Sequence, residues 1–243
     1  MLIIKLSTID STNAFLKQWV QQTKAHNAIA VRAGYQTHGT GRMGSKWHAE
    51  KDLNLLCSVY LGGISIDNDA IFEINKRVCL AILDTLTPHN VPSLQIKWPN
   101  DILSAEQKIG GVLVEPILRG KEVIAVVIGC GINVNQLDFP NLPCASSIRK
   151  ATGKTHALEP LFETLAANIE SAVRASNTDN SRYLDALFKL NQACGFEKLD
   201  GTSFSATIMG VADDGKLRLK HSDGTTENFE ERKLVFTAFA HCQ

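Results

Sequence analysis

Two apolar runs, 109–118 and 122–134, are separated only by Arg119-Gly120-Lys121. So short a connection cannot hold a crossover helix, so the runs must return on each other as an antiparallel hairpin. The strict strand–helix alternation of a doubly wound nucleotide-binding fold does not fit. Around this hairpin the pattern predicts further strands at 2–6, 28–36, 53–61 and 94–98. Gly62-Gly63 bounds the third, and Pro99, which has no N–H to donate, halts the fourth. Helical spacing of Phe15, Leu16, Trp19 and Val20 predicts a helix over 14–22, with N-cap candidates in Asp10-Ser11-Thr12-Asn13. Ile71, Ile74, Val78, Ile82 and Leu83 share one face of a helix over 67–86, with Asp67 as its cap. A polar loop at 135–147 leads to helices over 159–175 and 179–192. From Phe196 the chain changes to short strands with turns at Asp213-Asp214-Gly215 and Ser222-Asp223-Gly224, the pattern of a small β-barrel. The expectation is an α+β fold: a mixed, largely antiparallel sheet with helices over 1–194, then a small β-barrel over 195–243.

Composition narrows the class. Lys+Arg and Asp+Glu number 25 each, so the overall electrostatic signature of a nucleic-acid binder is missing. The first strand is too short for a signal-peptide core, and no apolar run approaches the ~20 residues a membrane helix needs. The six cysteines at 57, 79, 130, 144, 194 and 242 form no CxxC, and most read as small buried hydrophobes with free thiols. A cytoplasmic protein without structural zinc is the consistent expectation. No nucleophile motif of a hydrolase is present, and the seven histidines are dispersed.

Four polar clusters interrupt the apolar pattern. Gly39-Thr40-Gly41-Arg42-Met43-Gly44-Ser45-Lys46-Trp47 threads two cations through three glycines and closes on an aromatic. It satisfies GxGxxG as bare letters, but it precedes loop and strand rather than a helix, so a dinucleotide fingerprint is disfavoured. A loop wrapping a small anionic ligand suits it better than a plain turn. Lys97-Trp98-Pro99-Asn100-Asp101 reads either as polar groups delivered to a sheet edge or as a turn with an Asx bond. Lys108 before Gly110-Gly111 is either a solvated charge or an ammonium meeting a phosphate or carboxylate. Gly129-Cys130-Gly131-Ile132-Asn133 is either a β-bulge or backbone exposed to a flat ligand, with Asn133 at a base edge.

With Asp10-Ser11-Thr12-Asn13 ahead of them, the clusters in this order closely resemble the biotin protein ligases, across essentially the whole chain. The resemblance implies a class II synthetase-like biotin/lipoate ligase domain followed by an SH3-like barrel. It implies that biotin and ATP, with Mg²⁺, give biotinyl-5′-adenylate, whose biotin passes to a lysine of a biotin carboxyl carrier protein. Carried over, Ser11, Thr12 and Gln36 line the ureido pocket and Asn13 supports the turn. Gly39, Thr40, Gly41 and Arg42 belong to the loop that closes over biotin, and Lys108 meets its carboxylate and the α-phosphate. Gly111, Gly129 and Gly131 give the ligands room. Trp47, Asn100 and Asn133, with Arg42 and Lys108, form the ATP side, and Asp101 lies near Mg²⁺. Arg42 and Lys108 are the expected catalytic pair. Thr40 and Met43 stand where arginine is often found, so a more mobile open loop is expected. Because 2–6 already matches the catalytic domain's first strand, the short class without a DNA-binding segment is implied. Homodimerisation is compatible with it; DNA and membrane are not expected partners. The alternatives are a lipoate or octanoate ligase or transferase, and a non-enzymatic biotin-binding regulator. The polar Ser11-Thr12 and Gln36 set favours biotin over a flexible acyl chain.

Overall fold

A computed structural model describes residues 1–24, 27–67, 70–175 and 177–242, with residues 240–242 described by backbone alone. Strand β1 (Leu2–Ile9), helix α1 (Thr12–Thr23) and β2 (Ile29–Gln36) form a crossover unit in which β1 and β2 run parallel. Then follow β3 (Leu55–Asp67), α2 (Ile71–Leu86), β4 (Leu94–Lys97), β5 (Asp101–Ser104), β6 (Gln107–Arg119) and β7 (Glu122–Ile132). The seven strands pair in the order β1-β2-β3-β7-β6-β5-β4, antiparallel beyond the first pair. The expected hairpin is β6–β7, and its turn uses Gly120 at φ 65.

Both faces of this sheet are covered, as its alternation requires. Ile29, Val31, Tyr60, Ala125 and Val127 point to α1, where Leu16 is fully buried with Phe15, Trp19 and Val20 beside it. Ala30, Cys57, Val59, Ile128 and Cys130 point the other way, to α2 and α4 (Leu158–Arg174). Two short helices, α3 (Ile148–Thr152) and α5 (Asn180–Asp185), flank α4. The second sheet comprises β8 (Ala193–Lys198), β9 (Ser203–Val211), β10 (Leu217–Lys220), β11 (Thr226–Phe229) and β12 (Leu234–Phe236), all antiparallel, in the order β11-β10-β9-β8-β12. It is the SH3-like part of the fold. Its Phe196, Leu217 and Phe236 join the same core as α2 and α4.

Several expectations are corrected. The helix expected over 179–192 stops at Asp185, and beyond it Lys189 and Asn191 take φ of 58° and 59°. Leu187 and Leu190 instead bridge to Ile96 and Ile208, tying the two sheets together. Asp67 does not cap α2; it ends β3, and Ala70 holds the N-cap position without a side-chain bond. Strand β3 also runs through Gly62-Gly63, absorbing them in a register shift before Ile66. Cys57, Cys79 and Cys130 are buried free thiols, and burial pushes Cys79 up to about 12. Cys144, by contrast, is disulfide-bonded. The side chain of Cys242 lies outside the described residues. Among the described residues no helix is long and apolar enough to cross a membrane.

Phe196 is fully buried and packs on Phe204 and Phe236 at centroid distances of 5.7 and 4.9 Å. Phe196→Ala is expected to cost about 3–5 kcal/mol. Urea unfolding followed by circular dichroism measures this, and a loss under about 1 kcal/mol would remove Phe196 from the shared core.

Candidate functional site

A cavity of about 640 Å³ opens where the C-terminal ends of β2 and β7, the start of β6 and the second sheet meet. One wall is built by the entry to α1. Ser11 caps that helix, its Oγ accepting from the Ala14 N–H at 3.4 Å. Capping turns Thr12 and Asn13 inward, where both are buried. The Thr12 N–H donates to Gln36 Oε1 at 2.7 Å, and the Thr12 hydroxyl lies 3.0 Å from the same oxygen. Ser58, on β3, contacts Thr12 Oγ1 at 2.6 Å and Asn13 Oδ1. Asn13 Nδ2 donates to Glu115 Oε2 at 2.7 Å, and Lys17 pairs with the other Glu115 oxygen. This wall is a connected polar network within an apolar sheet.

The glycine loop forms a second wall. It is a closed turn: Gly41 N–H donates to Ser45 O at 2.7 Å, Trp47 N–H to Gly39 O at 2.9 Å, and Thr40 bridges Lys46. Met43 at φ 56 and Gly44 at φ 78 carry its tip. Arg42 is held by Glu231, in the short 3-10 turn between β11 and β12, its Nε donating to both carboxylate oxygens at 3.1 and 2.9 Å and Nη2 to one. Such a bidentate pair fixes the guanidinium in direction as well as place. Gly39 lies behind the lining, where a Cβ would come within 3.0 Å of Trp47 O and 3.2 Å of Gln36 Nε2.

The glycines on β6 and β7 also make room for side chains of the chain itself. A Cβ on Gly131 would fall within 2.8 Å of Trp47 Nε1, and one on Gly111 within 3.2 Å of the same indole. A Cβ on Gly129 would come 3.0 Å from Asn13 Cγ. An indole and an amide pack against them where a Cβ would stand. Trp47 thereby lies flat against the strands, with its Nε1 buried and unpartnered.

The third wall carries the charge. Asp101, at the start of β5, accepts from Lys97 Nζ at 2.9 Å and from Lys108 Nζ at 2.6 Å. Burial acts to raise the Asp101 carboxyl, but these two ammoniums hold it below its ordinary 3.8. Lys97 also sits over the rings of Phe236 and Phe239, at 5.4 and 4.8 Å, and Lys108 over Trp47 at 5.6 Å. Asn100 spends its amide on Val112 O at 2.7 Å, which fixes the β4–β5 turn against β6. Asn133 Nδ2 donates to Ser146 O at 2.9 Å, leaving its buried Oδ1 as an unpartnered acceptor.

Ser11, Thr12, Asn13, Gln36, Thr40, Gly41, Arg42, Trp47, Asn100, Asp101, Lys108, Gly111, Gly129, Gly131 and Asn133 thus all border one cavity; Gly39 does not. Asp101 does not fit the expected Mg²⁺ ligand. Both its oxygens face ammonium groups, and no group of three metal-binding side chains exists among the described residues. Ser58, Glu115, Lys97 and Glu231 join the site or its support without having been expected there. Lys97 carries a local signal, standing in the Lys97–Asp101 cluster two residues before Pro99. Ser58 and Glu231 carry no local signal. Chemically, the cavity offers hydrogen-bond acceptors on one wall and cations on another. That suits a polar molecule with an anionic end.

The Asp101 carboxyl is depressed in the fold, so its contribution to stability is full above 3.8 and is lost as pH falls below that value. Asp101→Asn is expected to lower stability near neutral pH by roughly 1–3 kcal/mol and to flatten the acid side of the stability curve. Thermal melts from pH 2.5 to 7 test this; parallel curves for the two proteins would contradict it.

Residues 6–133 match the model of the biotin/lipoate A/B protein ligase family. The bifunctional ligase/repressor BirA of Salmonella typhimurium is 30% identical over 129 residues, covering 53% of this chain and 39% of that protein. The bifunctional ligase/repressor BirA of Bacillus spizizenii is 27% identical over 232 residues, 91% of this chain and 70% of that one. This chain therefore spans less than half of the Salmonella relative. A biotin protein ligase of Aquifex aeolicus, solved in complex with biotin and ATP, superposes with a TM-score of 0.77 at 21% identity, covering 97% and 99% of the two chains. With the family match spanning just over half its residues and the fold matching throughout, the chain belongs to the biotin/lipoate A/B protein ligase family.

Proposed function

We propose that the chain is a biotin–protein ligase. It would activate biotin with ATP to biotinyl-5′-adenylate and transfer the biotin to a lysine of a biotin carboxyl carrier protein. The observation that carries this is the pairing of an acceptor-rich wall at Thr12 and Gln36 with the cations Lys97, Lys108 and Arg42 around one cavity. A ureido ring suits the first, and a carboxylate beside a triphosphate suits the second. The Aquifex neighbour, which has the same fold, was solved with those two ligands.

In the first step a biotin carboxylate oxygen attacks the α-phosphorus, and the bond to pyrophosphate breaks. Bringing two anions to 4 Å costs about 4 kcal/mol per charge pair at an effective dielectric of 20. Lys108 offsets that repulsion at the reacting oxygens. Its ammonium is already aimed by Asp101, so little ordering remains to be done on binding. Arg42 adds its charge only after leaving Glu231, so ligand phosphate competes with a carboxylate for one guanidinium. The nucleotide enters as MgATP, its metal carried on the phosphates rather than on Asp101. Trp47 and the glycine loop then shield the mixed anhydride from water. In the second step a neutral lysine amine attacks the acyl carbon and AMP leaves. We assign residues 1–194 to this chemistry and 195–243 to the barrel that anchors Arg42 through Glu231. A cytoplasmic site of action follows from that chemistry, since ATP and the carrier protein are found there.

Biotin-dependent exchange of labelled pyrophosphate into ATP tests the reading. Exchange with biotin and none with lipoate or octanoate is expected; exchange with lipoate alone would favour the acyl-chain ligases, and none at all a mere binder. Lys108→Ala is expected to slow exchange by about 10²–10³. Unchanged exchange would remove Lys108 from the reacting centre. Arg42→Gly is expected to speed adenylate escape, read as biotin appearing on bystander proteins. Bystander labelling at the wild-type level would contradict it.

A further inference from the structure

The acceptor wall of the cavity can be read proton by proton, and Glu115, which does not border the cavity, decides the result. Three oxygen–oxygen contacts run in series: Gln36 Oε1 to Thr12 Oγ1 at 3.0 Å, Thr12 Oγ1 to Ser58 Oγ at 2.6 Å, and Ser58 Oγ to Asn13 Oδ1. Only the Thr12 and Ser58 hydroxyls bring protons to them, one each. One contact must go without.

The far end of the chain determines which. Asn13 Nδ2 donates to Glu115 Oε2 at 2.7 Å, and a carboxylate only accepts. Turning the Asn13 amide over would set its oxygen against that carboxylate, so Oδ1 must face Ser58. Ser58 therefore gives its proton to Asn13, and Thr12 gives its own to Ser58 across the short contact. Gln36 is pinned from the other side, because the Thr12 N–H donates to its Oε1 at 2.7 Å. Thr12 Oγ1 and Gln36 Oε1 are left 3.0 Å apart as two acceptors with no proton between them. Both residues border the cavity.

We infer that Glu115 is a positioning residue whose charge sets the direction of this hydrogen-bond chain. It makes the inner wall a two-acceptor cleft that selects ligands presenting N–H donors. The inference rests on the biotin reading above, in which the ureido N–H groups are those donors. Lipoyl and octanoyl chains carry no N–H and leave the acceptors facing each other unpaired. The neutral amide introduced by Glu115→Gln can accept as well as donate, so Asn13 becomes free to turn over. The chain then reverses, Ser58 donates to Thr12, Thr12 donates to Gln36, and the cleft closes on itself.

Lys17 provides the control, since its Nζ takes the other Glu115 oxygen without touching Asn13. Calorimetric binding of biotin and of MgATP is compared for the wild type, Glu115→Gln and Lys17→Met, with a thermal melt of each. Glu115→Gln is expected to weaken biotin about tenfold, the worth of roughly one hydrogen bond, with MgATP binding and melting temperature unchanged. Lys17→Met is expected to bind biotin as the wild type does. Biotin binding by Glu115→Gln within about twofold of wild type overturns the inference. An equal loss in Lys17→Met overturns it too, since the ion pair rather than the amide direction would then matter. So does an equal loss of MgATP binding, the mark of a purely structural residue. Failure of the wild type itself to bind biotin sinks the functional reading instead, and is told apart by that arm alone.

Discussion

Asp101 has two carboxylate oxygens and two lysines to satisfy them, and the geometry of the site follows from that arrangement. Lys97 ends β4 and Lys108 begins β6, so the carboxylate between them holds three strands at one depth. Through Lys97 the same charge reaches Phe236 and Phe239 of the C-terminal segment. Through Lys108 it reaches Trp47 and thus the glycine loop. Removing this carboxylate would leave the largely buried Lys97 ammonium without its counter-charge, which a fold tolerates poorly. The cluster therefore serves stability and leaves two cations aimed at the cavity.

The second organising contact is Arg42 with Glu231. It crosses from the loop to the turn between β11 and β12 and gives the barrel a part in the site that its apolar core does not explain. Without ligand, the loop is tied down by a carboxylate; with one, a phosphate can take its place. The glycines opposite have a matching purpose: the absence of a Cβ at Gly131 and Gly111 lets the Trp47 indole lie against the sheet.

Much of this was legible in the sequence because its signals are local. The β6–β7 hairpin follows from two apolar runs and a three-residue connection, and the α1 cap from Ser11 ahead of a helical face. The ordered polar clusters placed all but one of the expected residues around one cavity. What stayed hidden depends on pairing at a distance. Strand β5 was invisible because it is short and its return turn uses Ala105 and Glu106 at φ 47 and 65, where sequence habit leads one to look for Asn-Gly. The helix expected past Asp185 had adequate local propensity, but Leu187 and Leu190 are taken by bridges to distant strands. Glu231 is far from Arg42 in sequence, and Ser58 sits in an apolar strand like any small buried residue. Asp101 was expected near Mg²⁺ through the family resemblance alone, and it is the pairing of β5 with its two flanking strands that brings Lys97 and Lys108 to it.

In the proposed function, one cavity brings a carboxylic acid with N–H donors against a nucleotide α-phosphate. Single-turnover incubation of the enzyme with biotin and α-labelled MgATP, with no acceptor protein present, measures this directly. About one equivalent of biotinyl-5′-adenylate per enzyme, retained through gel filtration, is the expected result. Labelled ATP recovered unchanged, or AMP released without any acyl-adenylate, would contradict it.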